Sequence, residues 1–186
     1  MPREGLDLWV FAYGSLIWRP GFEFQERHPA IVRGYHRSLC VYSFVHRGTP
    51  ESPGLVLGLM RGGACKGVAY RIAASHSAET IAYLRDRELV TDVYKEATLN
   101  VWLHTGEVVP AIAYVVDTHH RQFAGQLDRD ERLRLVQYAI GRSGPNSQYV
   151  TSTHEHMLRL GIRDHELEWL ATRLGFDGGP MRACYS

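Results

Sequence analysis

Glu88 is the residue whose type and surroundings point most directly to chemistry. It falls in a predicted amphipathic helix. If Ile81 is set at 0° and each residue turns the helix by about 100°, Leu84 lies at about −60° and Glu88 at about −20°. The carboxylate is therefore expected on the apolar, core-facing stripe. There it is either paired with Arg85 or Arg87, or its pKa is raised by desolvation, so that it can accept a proton near neutral pH.

A second candidate is the sequence Tyr13-Gly14-Ser15-Leu16, at the end of a predicted buried strand. A glycine just after such a strand lets the backbone turn sharply and expose successive N–H groups, which can bind a carboxylate or a developing oxyanion. The pattern lacks the second glycine spacing of a nucleophile elbow, so Ser15 is not favoured as a nucleophile. A purely structural turn is the alternative.

Two further side chains are candidates for contacts with a substrate. Arg47 lies in a turn-rich loop, residues 46–54, and its guanidinium is suited to clamp a carboxylate. The alternative for Arg47 is a solvated loop arginine. Tyr149 lies early in a predicted helix, where it is either a ligand contact or a core aromatic whose hydroxyl bonds a neighbour.

The histidines do not form a recognisable metal motif. His154 and His156 are two residues apart, so on a helix they point to different sides, and Leu158 stands where an HExxH motif needs its second histidine. His119 and His120 follow a predicted strand in a polar stretch and are expected to face solvent. We therefore predict no metal and no cofactor.

The overall composition predicts one ordinary folded domain over residues 1–186. The chain is 45% hydrophobic and 22% charged, which excludes the signature of disorder. A formal net charge of +1 provides no long-range field for nucleic acid or an anionic membrane, and no basic run supplies a local patch. We expect neither as a partner, and the composition does not indicate an oligomeric state.

The cysteines and the N-terminal segment predict a cytoplasmic protein. Cys40, Cys65 and Cys184 are odd in number and far apart, so neither a disulfide framework nor a CxxC metal knuckle fits. Widely spaced, reduced thiols suit the cytosol. The N-terminal segment carries Glu4 and Asp7 and has only a short apolar run, unlike a signal peptide, and no stretch approaches the length of a membrane span.

Strands dominate the first part of the chain and must position these candidates. Glycine-containing pairs at Gly62-Gly63 and Thr105-Gly106 predict hairpin turns. Hairpin connections without βαβ alternation favour a largely antiparallel sheet or small barrel and disfavour a doubly wound nucleotide fold. The predicted strands cover residues 8–13, 31–42, 55–60, 67–72, 98–103 and 108–116.

Four helices are predicted in the middle and the C-terminal third. The clearest covers residues 128–141: Asp128 and Glu131 form a capping-box-like pair, Leu133, Val136 and Ile140 make an apolar stripe, and a glycine closes the end. The others cover residues 75 or 77 to about 89, 147–161 and 164–175. A core over residues 8–174 and a loosely held tail over residues 176–186 are expected.

The candidate residues lie in segments that resemble a known family. WVFAYGSLIW, residues 9–18, resembles the N-terminal WVFGYGSLIW of the ChaC-type γ-glutamylcyclotransferases, which degrade glutathione. Four more segments look like the same family in the same order, so that the resemblance spans residues 9–174. They are the Arg47-Gly48 loop ending in Pro53-Gly54, residues 67–71, Tyr83-Leu84 followed by Arg87-Glu88, and residues 144–146 leading to Tyr149.

This resemblance implies an α+β fold, a small mixed barrel with helices packed around it. It also implies conversion of a small-molecule substrate, glutathione, to 5-oxoproline and cysteinylglycine. The family's catalytic glutamate falls on Glu88, and Tyr149 matches a family tyrosine near the pocket. The family's substrate loop falls on Val10, Phe11, Ala12, Tyr13, Gly14, Ser15 and Leu16.

The expected chemistry needs no protein nucleophile. In a cyclisation the substrate's own α-amine attacks the γ-carbonyl, and Glu88 serves as general acid and base. Two departures, Ala12 and Asp92 where the family usually has glycine, leave open a cyclotransferase for other γ-glutamyl amines or amino acids. A non-catalytic regulatory protein, suggested by the family's association with cation transport, and a metal hydrolase using the histidines are the competing functions.

Overall fold

Five strands close into a small barrel in the computed structural model, which describes residues 6–176. The strand order is β1-β3-β2-β4-β5, with antiparallel neighbours. The parallel pairs β1–β5 and β3–β5 complete the closure. The strands are β1 (Leu8–Ala12), β2 (Glu26–Ser43), β3 (Gly54–Ile72), β4 (Tyr94–Leu103) and β5 (Val108–Val116).

Helices pack around this barrel, which confirms the predicted α+β class and its mixed barrel. They are α1 (Ser77–Glu88), α2 (Arg129–Tyr138), α3 (Asn146–Arg159) and α4 (His165–Arg173). A short 3-10 helix at Ser15–Ile17 follows β1. A small hairpin joins α2 to α3; its strands, β6 (Ile140–Gly141) and β7 (Gly144–Pro145), have two residues each.

The predicted hairpin at Gly62-Gly63 is wrong, because β3 continues through these glycines as one strand. Gly62, Gly63 and the facing Gly34 have φ of 104°, 69° and 80°. The register between β2 and β3 shifts between Arg33 and Tyr35. Glycines with positive φ on both strands therefore make a bulge that bends the pair without ending it. The hairpin turn predicted at Thr105-Gly106 is confirmed: it joins β4 to β5, with Gly106 at φ 91°.

The predicted helix over residues 128–141 begins where expected but ends early. The Asp128 side chain accepts a hydrogen bond from the Glu131 N–H at 2.8 Å, as the capping pattern predicts. The helix stops at Tyr138, because Ala139 is extended and Ile140 pairs with Pro145 across the β6–β7 hairpin. Ile140 is 63% exposed, so its assignment to the apolar stripe is wrong.

One large apolar cluster fills the barrel and continues under the helices. Cys40 and Cys65 are buried free thiols. The tail prediction lies outside the described residues except at Phe176, whose ring meets His154 edge-on. Within residues 6–176 no helix has the length and apolar character to cross a membrane.

Candidate active site

A cavity of about 560 Å³ opens between the end of β1, the end of α1 and the loop after β2. Its volume is in the range of pockets for small molecules. Two of the residues that the sequence singles out, Val10 and Ala12, do not line it; both are completely buried in β1. The others all line it: Phe11, Tyr13, Gly14, Ser15, Leu16, Arg47, Glu88 and Tyr149.

Glu88, the last residue of α1, projects into this cavity from a helix face that Leu84 anchors in the core. Its side chain is 19% exposed. Burial raises the pKa of this carboxyl, and the positive charge of Arg87 partly opposes the rise. Oε1 of Glu88 lies 3.2 Å from Nε of Arg87. The two states expected from the helical phase, desolvation and pairing with a neighbouring arginine, therefore occur together.

Arg85, the second cation near Glu88 in the sequence, is engaged elsewhere. Its Nε and Nη2 donate to the Glu96 carboxylate at 2.9 and 2.7 Å. Within residues 6–176 no hydrogen bond to the Glu88 carboxylate forms, and Arg87 is its one ion-pair partner. The carboxylate oxygens are therefore accessible to a proton donor in the cavity.

Three tyrosines lie around Glu88, one just after β1 and two on strands β4 and β5, and their hydroxyls donate to other acceptors. Tyr13 donates to the Tyr114 carbonyl at 2.7 Å, Tyr94 to the Leu57 carbonyl at 2.7 Å, and Tyr114 to a Glu96 oxygen at 3.3 Å. Burial and the nearby carboxylate raise the pKa of each phenol, so all three stay neutral. The phenols therefore add no charge beside Glu88, whereas Arg19, Arg47 and Arg121 are further cations of the cavity lining.

The backbone carbonyls of the turn after β1 are all occupied. The Tyr13 carbonyl accepts from Nη1 of Arg37 at 2.9 Å. The Tyr70 hydroxyl lies 3.2 and 2.9 Å from the carbonyls of Leu16 and Ile17. The Gly14 and Ser15 carbonyls accept from N–H groups one turn on, at 2.8 to 3.2 Å.

The N–H groups of the same turn have no such partners. Those of Gly14, Ser15 and Leu16 meet no acceptor among residues 6–176. Three successive residues that line the cavity thus present donors while their carbonyls are used elsewhere. Such an array binds a carboxylate or an oxyanion. These unpaired N–H groups are the N-terminal donors of the 3-10 helix at Ser15–Ile17.

Arg47 is held beside the cavity as a buried cation. It is 8% exposed, so it is not a solvated loop arginine. Nη1 donates to the Pro145 carbonyl at 3.3 Å, and the guanidinium lies 5.5 Å from the centre of the Tyr149 ring. Within the described residues no carboxylate pairs with it, and burial lowers its pKa. An anionic group in the cavity would supply the missing counter-charge.

The loop that carries Arg47 is fixed by close backbone packing. A Cβ added to Gly48 would lie 2.2 Å from the Gly54 nitrogen, and one added to Gly141 would lie 2.5 Å from the Gly48 nitrogen. The Arg47 N–H also donates to the Ser43 hydroxyl at 2.9 Å. Glycine is therefore needed at Gly48 and Gly141 for the loop to approach β6, which holds Arg47 in place.

Tyr149 is both a core aromatic and part of the cavity wall. Its ring is buried on α3, and its hydroxyl accepts from the Leu57 N–H at 3.2 Å, as a core aromatic would. The same ring lies under Arg47 and lines the cavity. Since Tyr94 donates to the Leu57 carbonyl, both polar backbone groups of Leu57 are held by tyrosine hydroxyls.

The histidines singled out in the sequence contact aromatic rings or neighbouring polar groups of the chain. His154 is buried against Phe176, and its pKa is lowered by burial. His156 stacks on Trp18 and lies 2.8 Å from the Ser152 carbonyl. His119 is exposed beside Asp117. In the part of the chain that the structure describes, no cluster of three or more potential metal ligands occurs.

Comparison of the sequence and of the fold with those of known proteins identifies the family. A family model described as ChaC-like protein matches residues 8–175, nearly the whole chain. The chain belongs to the ChaC-like family. Its fold is that of γ-glutamylcyclotransferases: the crystal structure of a yeast γ-glutamyl cyclotransferase specific to glutathione superimposes with a TM-score of 0.83 at 24% identity, covering 91% of this chain and 96% of that one.

Several relatives are 30% or more identical over most of the chain. The glutathione-specific gamma-glutamylcyclotransferase of Escherichia coli (strain K12) is 34% identical over 166 residues, 89% of this chain and 71% of that protein. Gamma-glutamylcyclotransferase 2-3 of Arabidopsis thaliana is 31% identical over 179 residues, 91% of this chain and 89% of that protein. The family resemblance found in the sequence is thereby confirmed.

Both departures from the usual ChaC-like pattern lie outside the cavity lining. Asp92 is exposed and adopts a left-handed backbone with φ 57°, which glycine reaches most easily and aspartate tolerates. Ala12 is buried in β1 opposite Val68. Neither side chain therefore touches the space where a substrate would bind.

Several polar residues of the cavity wall, among them Tyr94, Tyr114 and Arg87, are not singled out as site residues by the sequence. Tyr94 and Tyr114 lie on facing strands, and only the register of β4 with β5 brings them beside Glu88. The sequence indicates Arg87 only as a partner for Glu88, whereas it also contacts the turn after β1. A signal was available for Arg87, which adjoins Glu88 in a segment that resembles the family, and for Tyr94, which matches the tyrosine that follows the family's glutamate.

Proposed function

We propose that this chain is a γ-glutamylcyclotransferase that converts glutathione to 5-oxoproline and cysteinylglycine. The observation that carries this proposal is the pairing, in one cavity, of a desolvated carboxylate, Glu88, with a turn that presents backbone donors at Gly14, Ser15 and Leu16. The two relatives described above carry cyclotransferase names, and the first is named as specific to glutathione.

In this reaction the α-amine nitrogen of the γ-glutamyl group attacks the γ-carbonyl carbon. A five-membered lactam ring forms, and the bond between the γ-carbon and the cysteine nitrogen breaks. Because nucleophile and electrophile belong to one molecule, holding the chain folded supplies much of the rate enhancement. One proton leaves the attacking amine, and one is added to the departing amine.

Glu88 handles both proton transfers. The α-amine is mostly protonated near neutral pH and cannot attack in that form. It therefore loses one proton to solvent before the attack. As the C–N bond then forms, Glu88 accepts a second proton from the attacking nitrogen and returns it to the nitrogen of cysteinylglycine as it departs. Burial raises the pKa of Glu88 and so brings the carboxylate closer to the amine in proton affinity, which favours its action as a base.

The turn and Arg47 bind the substrate's acceptor groups. The N–H groups of Gly14, Ser15 and Leu16 hold the γ-glutamyl part and stabilise the negative charge that develops on the carbonyl oxygen. Arg47 binds a substrate carboxylate, since it is buried without a counter-ion among the described residues. Tyr149 supports Arg47, because its ring packs against the guanidinium and its hydroxyl is fixed by the Leu57 N–H.

A hydrolytic mechanism is less well supported. His46 and Ser143 are hydrogen-bonded at 3.0 Å and line the same cavity. Both are exposed, and no carboxylate in the described part of the chain orients the histidine as an activated serine requires. Ser143 also donates its N–H to the His46 carbonyl at 2.9 Å, so this contact fastens two loops together.

The test is turnover of glutathione by the purified chain and by Glu88→Gln. Wild type should release 5-oxoproline and cysteinylglycine in equal amounts. Glu88→Gln keeps the shape of the side chain but cannot accept a proton, so its rate should fall by about two to four orders of magnitude. Glu79→Gln, an exposed carboxylate on the same helix, is the matched control.

The same assay separates the competing functions. Equal turnover of glutathione and γ-glutamyl-alanine would indicate a cyclotransferase for γ-glutamyl compounds in general. A folded Glu88→Gln variant with near-normal turnover would contradict the assignment of Glu88. Absence of any product from wild type would favour a non-catalytic binding protein.

A further inference from the structure

The guanidinium of Arg87 lies between the two halves of the proposed site. It is 23% exposed and extends from α1 toward the turn after β1. Its nitrogens reach groups on both sides of the cavity. Nη2 donates to Ser15 Oγ at 3.0 Å, and Nε lies 3.2 Å from Glu88 Oε1. Nη1 lies 2.7 Å from the Arg19 carbonyl, 3.0 Å from the Tyr83 hydroxyl and 3.4 Å from the Pro20 carbonyl.

We infer that Arg87 is a positioning residue that fixes the donor turn at residues 14–16 against the Glu88 carboxylate. This inference rests on the proposed cyclotransferase function. The substrate's amine must meet Glu88 while its carbonyl meets the turn. An error of about 1 Å between the two sides costs on the order of a hundredfold in rate.

The contacts require the planar, multiply donating group of arginine. The guanidinium of Arg87 contacts the Ser15 hydroxyl, the Arg19 carbonyl just after the 3-10 helix, and the Glu88 carboxylate at the same time. A lysine has a single nitrogen at the end of a flexible stem, so it cannot reach all of these groups at once. Conversion of Arg87 to lysine therefore keeps the positive charge and removes the bridge.

The turn is also held from its other side, which leaves Arg87 as the link to Glu88. Arg37 donates to the Tyr13 carbonyl and pairs with Asp164 at 3.0 Å, so it ties the start of the turn to the cap of α4. Tyr70 holds the carbonyls at the end of the 3-10 helix. These contacts fix the turn to the barrel, whereas Arg87 fixes it to α1.

Arg87 also sets the electrostatic surroundings of Glu88. Four phenols lie around Glu88 and stay neutral: Tyr13 just after β1, Tyr94 on β4, Tyr114 on β5 and Tyr149 on α3. Arg19, His46, Arg47 and Arg121 line the same cavity. Arg87 is the charged group that lowers the pKa of Glu88 against the effect of burial. Its removal should therefore raise that pKa further.

The experiment compares Arg87→Gln, Arg87→Lys and wild type. Arg87→Gln should lower kcat/KM for glutathione by about a hundredfold and move the acidic limb of the pH–rate profile to higher pH. Arg87→Lys should lose most of the rate but keep the limb near its wild-type position, because the charge remains. Arg134→Gln, an exposed arginine on α2, should change neither.

Two measurements without turnover make the inference independent of the reaction. The pKa of Glu88 is measured by carbon NMR on glutamate-labelled protein. Amide exchange is followed at Ile17, Trp18 and Arg19, whose N–H groups donate to the Gly14 and Ser15 carbonyls. In Arg87→Gln the pKa should rise and the amides should exchange faster. An unchanged pKa and unchanged exchange would overturn the inference, whether or not wild type is active. An inactive wild type that showed both changes would contradict the proposed function and support Arg87 in its positioning role.

Folding of the variants is checked by circular dichroism. If Arg87→Gln does not fold, Arg87→Lys replaces it in the exchange measurement, because the amides of residues 17–19 are expected to exchange faster in that variant as well. A folded Arg87→Lys variant with wild-type kcat/KM and wild-type exchange would overturn the inference.

Discussion

Arg47 carries a charge that its surroundings leave uncompensated. We expect Arg47→Ala to raise KM for glutathione by about tenfold to a hundredfold and to lower kcat less, because a charge-assisted hydrogen bond to a carboxylate that does not react contributes equally before and during the reaction. Steady-state kinetics measure both constants. Arg47→Lys should recover only part of the affinity, since lysine lacks the planar fork. An unchanged KM would leave Arg47 with a structural role in its loop.

The raised pKa of Glu88 predicts how kcat/KM depends on pH. A base must be deprotonated to act, and burial raises the pKa of Glu88 above the usual value for a glutamate. The acidic limb of kcat/KM should therefore lie at a higher pH than an exposed glutamate would give. Measurement of kcat/KM for glutathione over a range of pH locates the limb. A limb at the pH of an ordinary glutamate would mean that Glu88 is solvated or is not the base.

Single residues are predictable where one element determines their surroundings. The helical phase of Glu88 relative to Leu84 is a property of α1 alone, and the sequence predicts it correctly. The burial of Arg47 depends on Gly48 meeting Gly141, which are 93 residues apart, and no local pattern reports such a contact. The sequence alone therefore does not distinguish a buried Arg47 from a solvated one.

At the scale of elements, α3 is attached to β3 by the side chain of Asn146. Its Oδ1 accepts from the Leu55 N–H at 2.6 Å, and its Nδ2 donates to the Leu55 carbonyl at 2.8 Å. The side chain is completely buried and replaces a strand partner for Leu55. This attachment sets α3 beside β3 two residues before Leu57, where Tyr149 makes its own bond.

We expect Asn146→Ala to lower the free energy of unfolding by roughly 2–4 kcal/mol, because it leaves two buried backbone groups without partners. Chemical denaturation measures the change. Asn146→Asp keeps the acceptor but places a second acceptor near the Leu55 carbonyl, so it should not restore stability. Asn100→Ala, an exposed asparagine on β4, should stay within about 0.5 kcal/mol of wild type.

Element boundaries are harder to predict where glycine permits two outcomes. Gly62-Gly63 has the residue types of a hairpin turn, but the facing Gly34 allows both strands to bend together and continue. Gly141 has the residue type that ends a helix, yet it pairs with Gly144 in a hairpin. Asp128 is different, because a cap is a local interaction and its residue pattern suffices.

For the molecule as a whole, Glu88 carries a cost in stability. Its pKa is raised in the folded chain, so the folded chain binds that proton more tightly than the unfolded chain does. The free energy of unfolding therefore decreases as the pH rises from the unfolded pKa through the folded pKa. Above that window the buried charge destabilises the fold, and below it the neutral acid does not.

Glu88→Gln removes this charge and should be more thermally stable than wild type at neutral pH. The difference in Tm should shrink as the pH is lowered and should vanish below the usual pKa of a glutamate, where wild type carries a neutral acid of nearly the same shape. Thermal melts across pH measure it. An equal Tm at all pH values would show that Glu88 is not desolvated in solution.

The barrel class was predictable because strand patterns and hairpin connections recur along the chain, whereas the cavity was not. Its lining comes from all five barrel strands, the turn after β1, the loop after β2, α1 and α3, and the distances between the strands follow from barrel closure. The pairing of Val10 with Ile112 is one such closing contact, between residues 102 positions apart. No periodicity in the sequence encodes that pair.

The turn at residues 14–16 has its carbonyls occupied and its N–H groups unpaired within the described residues, so it binds acceptors and should also bind the product of the proposed reaction. 5-Oxoproline keeps the carboxylate and the carbonyl of the γ-glutamyl group and has lost only its basic amine, so it offers the turn the same acceptors as the substrate. We expect it to inhibit competitively, raising the apparent KM without changing kcat, while 2-pyrrolidinone, which lacks the carboxylate, inhibits less. Inhibition that was equal for both compounds would contradict this. Glutathione breakdown by this chain would then slow as the lactam accumulates, unless another reaction removes it.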